Sequence, residues 1–185
     1  MQKNIKLKIV ATVVLLGCLG FTEQAFAFNQ QDMDQLKATR SCPRCDLSSA
    51  DLTQANLAGA NLREANLKGA TLSGANLKNA DLTSANLEGA VMNSTILYGA
   101  SMTGTNLKSA SLENADLSFA GLISANLEAA NFKGAKVQFT NFRGAYFRLT
   151  TLQQGTVTSD KPYGWSLQED TLNPKNKPQE SSRKK

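Results

Sequence analysis

The chain has 185 residues, 20 Lys and Arg against 15 Asp and Glu, no His and three Cys, for a net charge of +5. Without His, Ser–His and Cys–His catalytic pairs are impossible, and neither a P-loop nor a dinucleotide fingerprint occurs. The basic surplus is spread too thinly for a nucleic-acid surface, which needs a dense stripe of Lys and Arg.

The first 27 residues read as a secretory leader. Lys3, Lys6 and Lys8 form a positive region, Ile9 to Phe21 an apolar one, and Ala25-Phe26-Ala27 a small-x-small cleavage site before Phe28. The apolar run is too short for a permanent membrane span. The rival reading is a lipoprotein: Leu15-Leu16-Gly17-Cys18 resembles a lipobox with Cys18 lipidated, although Leu16 fits poorly there. Removing the leader's charges leaves 17 basic and 14 acidic residues, or +3. The compartment implied is the periplasm, or a thylakoid lumen in a photosynthetic host.

Residues 28–44 form an N-terminal capping segment. Asn29 to Thr39 predicts a short helix with Asn29 as N-cap and Met33 and Leu36 on one face, lying over the first turn of a coil. Cys42 and Cys45 come next. In an oxidising compartment a close pair favours a disulfide, here a staple. A thioredoxin-type site needs its Cys pair at a helix start in a βαβ setting, which is missing. Zinc needs four ligands, and the mature chain offers these two Cys and no His. No metal or cofactor is expected.

From Cys45 to Gln154 the chain repeats every five residues, twenty-two times. In Ala50-Asp51-Leu52-Thr53-Gln54 the unit is Ala, an Asn or Asp, Leu and two variable positions. The Leu position, here called the centre, is Leu, Met, Phe or Val in every unit, and Ala stands two before it in seventeen of them. Five residues advance roughly 500° on a helix and flip faces on a strand, so neither element buries one stripe. A short extended piece followed by a bend does. Ala and the centre then point inward together, the residue between them points outward, and the variable pair turns the chain. Laid end to end, such units wrap a solenoid.

Columns spaced by twenty residues indicate four sides per turn. After every fourth centre stand Ser48, Lys68, Glu88, Lys108, Glu128 and Arg148, alternating in charge. Before the same centres stand Asp46, Asn66, Asn86, Asn106, Asn126 and Tyr146, an asparagine ladder. At a strand spacing of roughly 4.8 Å the rod is roughly 26 Å long.

Towards the C-terminus the centres become Phe132, Val137, Phe142 and Phe147, so the core widens. Residues 155–185 form a tail; Pro162-Tyr163-Gly164-Trp165-Ser166-Leu167 is expected to fold back on the coil, and from about 170 the composition predicts disorder. Ile96, Tyr98, Phe119 and Phe139 fall at outward positions of one side or its corner, with Ile123 just around the edge. Exposed apolar groups clustered on a rod mark either a contact site for a partner or a surface covered by the tail.

The repeat resembles the pentapeptide-repeat proteins over Cys45 to Gln154, and the entry Ser41-Cys42-Pro43-Arg44-Cys45-Asp46-Leu47 is similar to that of exported, cyanobacterial-type members. The resemblance implies an all-β fold, a right-handed quadrilateral parallel β-helix. The solenoid form itself points to a non-catalytic scaffold for protein–protein interaction, as monomer or weak homodimer, expected to bind no nucleic acid. The resemblance implies a second role, the DNA mimicry by which some members bind DNA gyrase, which demands an acidic face and a cytoplasmic address. Here the coil carries eight basic and eight acidic residues and follows an export leader. An envelope lipoprotein remains if Cys18 is acylated, and a thiol–disulfide enzyme if Cys42 and Cys45 are reactive thiols.

Overall fold

The computed structural model describes residues 28–158. The leader with Cys18 and Ala27, and the tail segment 162–167, lie outside them. The helix α1 spans Gln30–Thr39. Its start is capped by Asn29, whose side-chain oxygen accepts from Gln31 N at 2.9 Å. It ends at Arg40, in the left-handed region at φ 54°, whose N–H bonds Leu36 O at 2.8 Å. Met33 and Leu36 are buried against the first turn of the coil.

Beyond α1 the chain is one continuous coil. Each outward residue before a centre pairs in parallel with the residue twenty positions on, from Ser41 with Asn61 to Asn131 with Thr151. Between the first and last turns, three backbone bonds join each unit to the neighbouring turns of the coil. Leu87 N donates to Asn106 O at 2.8 Å, Gly89 N to Lys108 O at 2.9 Å, and Asn106 N to Ala85 O at 3.0 Å. Within the unit, Ala90 N donates to Leu87 O at 3.0 Å and closes a turn. The result is the right-handed quadrilateral parallel β-helix. Side one carries centres such as Leu67 and Leu87, side two Leu72 and Met92, side three Leu77 and Leu97, and side four Leu82 and Met102.

Every turn from Arg44 to Leu149 places its second variable residue at a positive φ, between 53° and 69°. Positive φ at that position is the type II geometry, which glycine fills without strain. Only eight of these twenty-two positions are glycine. At Gly99 and Gly134 a second constraint applies: an added Cβ would run into the side-chain oxygen of Asn79 or Asn114, one turn of the coil below.

The coil starts earlier than Cys45, where the sequence pattern places its beginning. Ser41 already pairs with Asn61, Cys42 is buried in the centre column of side four, and Arg44 takes the left-handed turn position. With Cys at the centre and Arg40 in place of Ala, this unit does not look like a repeat.

Inside, Ala and Leu fill the bore, and nearly all are fully buried. Thr95, Thr105, Thr140 and Thr150, which replace Ala, send their hydroxyls to the carbonyls of Leu72, Leu82, Leu117 and Leu127 at 2.7–3.0 Å. A buried hydroxyl would otherwise lose its hydration without return. At the C-terminal end the Phe142 ring lies edge-on to Phe132 and Phe147, with centroids 6.3 and 5.4 Å away, and narrows the mouth. Gly155 turns the chain, Val157 pairs antiparallel to Thr151, and Thr158 N bonds Thr150 O at 2.9 Å.

Leu107, wholly buried at mid-rod, reports on the packing. Leu107→Ala is expected to cost about 2–5 kcal/mol and Leu107→Met less than about 1.5 kcal/mol in urea unfolding. Equal, small costs for both would show that the bore is not tightly packed.

Candidate functional site

Because residues twenty apart stack, each side presents columns of side chains. Side one is polar. Asn66 Nδ2 donates to Asp46 Oδ1 at 2.9 Å, and Asn86, Asn106 and Asn126 each donate to the Asn below at 3.4, 3.2 and 3.2 Å. Beside this ladder Lys68 pairs with Glu88 at 3.2 Å, and Glu128 is held by Lys108 at 3.3 Å and Arg148 at 3.0 Å. The alternating column therefore closes at three of its contacts; Glu88 meets Asn106 Nδ2 at 3.5 Å rather than an ion-pairing Lys108. Such exposed pairs contribute little stability.

Side three differs. Phe119 and Phe139 stack with centroids 5.0 Å apart and an interplanar angle of 25°. The Tyr98 ring lies 5.2 Å from Phe119, and Lys78 Nζ sits 5.4 Å from the Tyr98 centroid. Tyr98 and Phe119 belong to adjacent columns. The residue directly below Phe119 is Gly99, which has no side chain, and the Tyr98 ring lies beside that gap. Phe119 is 52% exposed and Phe139 74%. Ile96 is exposed on the same side, paired with Asn76 and Asp116 through the backbone. Ile123 stands around the edge on side four, half-buried.

The column is visible in the sequence, but the interlocked rings and the Lys78 contact are not; the glycine below Phe119 is the available signal. Leu149 and Val157 are also exposed near the C-terminal end, and neither stands out in the repeat pattern.

Phe119 and Phe139 occupy the left-handed turn position that every unit of the coil has, at φ 61° and 56°, and are the only aromatic residues among those turns. A bulky residue there costs roughly 1–2 kcal/mol relative to a relaxed conformation. Neither ring enters the core, so the fold gains little in exchange.

Cys42 and Cys45 lie with Cα atoms 5.4 Å apart, both buried where the coil begins. Cys42 Sγ is 3.1 Å from the Asp32 carbonyl oxygen of α1, so the pair packs directly under the helix. Among the described residues no group of three or more His, Cys, Asp or Glu is placed to hold a metal, and no helix is long and apolar enough to cross a membrane.

Four outward aspartates are held below the ordinary carboxylate range. For Asp46, Asp51 and Asp116 the first cause is a hydrogen bond from the side chain two residues on, Ser48, Thr53 or Ser118, joined by that residue's N–H. For Asp81 burial pushes upward and is outweighed by Thr83 and by Arg63, 3.1 Å away.

A family model, pentapeptide repeats in eight copies, matches residues 45–83, 75–114 and 110–148. The chain belongs to the pentapeptide-repeat family. Among solved members, it is similar to a pentapeptide-repeat protein of the Arabidopsis thaliana thylakoid lumen, at 30% identity over 51% of this chain and 66% of that one, with a TM-score of 0.47. It is similar to Rfr23 of the cyanobacterium Cyanothece 51142 at 29% identity over 63% of this chain and 92% of that one, TM-score 0.43. It also resembles QnrB1, a plasmid-mediated fluoroquinolone resistance protein, at 18% identity over 66% and 82% of the two chains, TM-score 0.36. No curated protein matches the sequence significantly.

The pentapeptide-repeat geometry makes two effects measurable. Phe139→Gly relieves the left-handed strain and removes one stacked pair, worth about 0.5–1.5 kcal/mol, so its stability should stay within about 1 kcal/mol of the parent. A larger loss in urea unfolding would make the ring structural. The depressed aspartates contribute stability that is fully present above the unfolded carboxylate value of about 3.9 and is lost as pH falls through their lowered folded values. Thermal unfolding midpoints should therefore hold between about pH 7 and 5 and fall below about pH 4. A midpoint that rises on acidification would contradict the assignment.

Proposed function

We infer that this pentapeptide-repeat chain is a non-catalytic, exported scaffold that binds another protein through side three. The observation that carries the reading is the exposed ladder of Tyr98, Phe119 and Phe139, in which two phenylalanines hold strained backbone positions without entering the core. Large aromatic rings fixed on a rigid support are the residues that dominate protein interfaces. Ile96 and Ile123 widen the apolar surface. A stacked coil resists deformation, so the ladder is preorganised and little entropy is lost on binding.

Export rests on the leader pattern and agrees with the close Cys pair, which we read as a disulfide stapling the first turn of the coil under α1. A chain without His cannot form a Ser–His or Cys–His pair, which supports a binding role over an enzymatic one. The gyrase-binding reading lacks its main requirement: the coil's charges balance at eight and eight, so no strongly acidic face forms.

Crosslinking and pull-down from the exported fraction test this reading. Phe119→Ser with Phe139→Ser should weaken the captured complex by at least about 30-fold, as loss of hot-spot residues worth about 2 kcal/mol implies, with unfolding midpoints retained. Undiminished capture, or collapse of the fold, would count against it. Mass spectrometry of the same unreduced material should find an N-terminus at Phe28 and Cys42 bridged to Cys45; an acylated Cys18 would replace the soluble scaffold with an anchored one.

A further inference from the structure

The first turn of the coil presents a main-chain edge that the described residues cover only in part. On sides four and one α1 and its flanks pair the N–H and C=O of Ser41 and Asp46. Ser41 O accepts from Gln35 Nε2 and Thr39 Oγ1 at 2.9 and 3.1 Å, Asp46 N donates to Asp32 Oδ2 at 2.7 Å, and Asp46 O accepts from Asn29 N at 3.0 Å. On sides two and three the same groups have no protein partner among the described residues: the N–H and C=O of Asp51 and Asn56, and the C=O of Thr53 and Ala58. One turn of the coil further on, the corresponding groups are paired, as when Thr71 N donates to Ala50 O and Leu52 N to Thr71 O. The open stretch therefore has the spacing of a further parallel strand.

A groove of about 390 Å³ lies against it, between α1 and the coil. Its floor is apolar, with Leu36, Leu52, Ala55 and Leu57, and Lys37 and Arg40 stand on its helix wall. Both cations are exposed, and neither makes an ion pair among the described residues. Asp51 on the opposite wall is the groove's one carboxylate, and its Oδ1 already accepts from Thr53 N at 3.0 Å. Two cations against one carboxylate leave the walls with a charge of +1.

We propose that this groove binds an extended acidic segment of a partner protein, which adds a short parallel strand under Asp51–Ala58 and sets its carboxylates against Lys37 and Arg40. Backbone pairing supplies affinity and alternate side chains supply selectivity, as in other strand-addition complexes. A segment patterned like the coil itself would send Ala and Leu onto the apolar floor and Asp outward. The site is distinct from side three, so the two readings fail separately.

The test is fluorescence anisotropy of the full mature chain with a labelled, end-blocked peptide Ala-Asp-Leu-Glu-Asp-Ala-Asp-Leu and its counterpart with Lys at each acidic position. The acidic peptide is expected to bind at least tenfold tighter than the basic one. Lys37→Glu with Arg40→Glu should reverse that order, and both residues are exposed, so the fold is retained. Phe119→Ser with Phe139→Ser should leave peptide binding unchanged. Hydrogen exchange at the Asp51 and Asn56 amides should slow on binding, which a purely electrostatic contact would not produce. The proposal is overturned if neither peptide binds at millimolar concentration, if charge reversal changes nothing, or if those amides gain no protection. It is also overturned if sedimentation shows the chain self-associating through this mouth, with Lys37→Glu and Arg40→Glu abolishing the association, because the occupant is then a second copy.

Discussion

The parallel backbone ladder between residue i and residue i+20 is the interaction on which everything else in this molecule depends. Between the first and last turns it satisfies the main-chain groups of each unit from its neighbours above and below, so a stretch with almost no regular helix or strand leaves few buried donors or acceptors unpaired. It also explains why small residues stand two before each centre from Leu47 onward. The inward corner has room for Ala, or for a Thr whose hydroxyl finds a carbonyl in the turn of the coil below. Larger groups there would push the sides apart and lengthen every ladder bond in that column.

The ladder separates two sets of positions with different freedoms. Ala and centre residues answer to the bore and vary little. Outward residues answer only to the neighbours twenty positions away and to whatever binds the rod, so they can differ from side to side. On side one they form amide and charge columns that help hold register. On side three they form stacked rings in strained turns, which the ladder tolerates but does not need. Solenoids spread binding surface over such outward columns, because the core that supports them runs the length of the rod.

Much of this is legible in the sequence because a strict period leaves few solutions. Inward Ala and Leu come from the spacing within a unit, and four sides come from charges such as Lys68 and Glu88 recurring every twenty residues. The cap is legible because Asn29, Met33 and Leu36 obey ordinary helix rules. The unit at 41–44 is not, since Cys42 and Arg40 stand where Leu and Ala are expected. The left-handed turns are hidden as well: Ser49, Glu64 and Leu149 adopt the same conformation as Gly69. The backbone there is imposed by ladder closure rather than by local preference. The ring contact between Tyr98 and Phe119 links neighbouring columns, and the N-terminal groove depends on how far α1 reaches across the mouth. Both are matters of packing between elements that a linear period does not encode.

Spin labels on Lys68→Cys and Arg148→Cys test the ladder most directly. These residues lie eighty positions apart in sequence but in one column, four turns of the coil apart, so the label separation should centre near about 19 Å plus the reach of the labels. A broad distribution, or a distance beyond about 40 Å, would mean that residues twenty apart do not stack, and the account of core, columns and binding surfaces would be contradicted together.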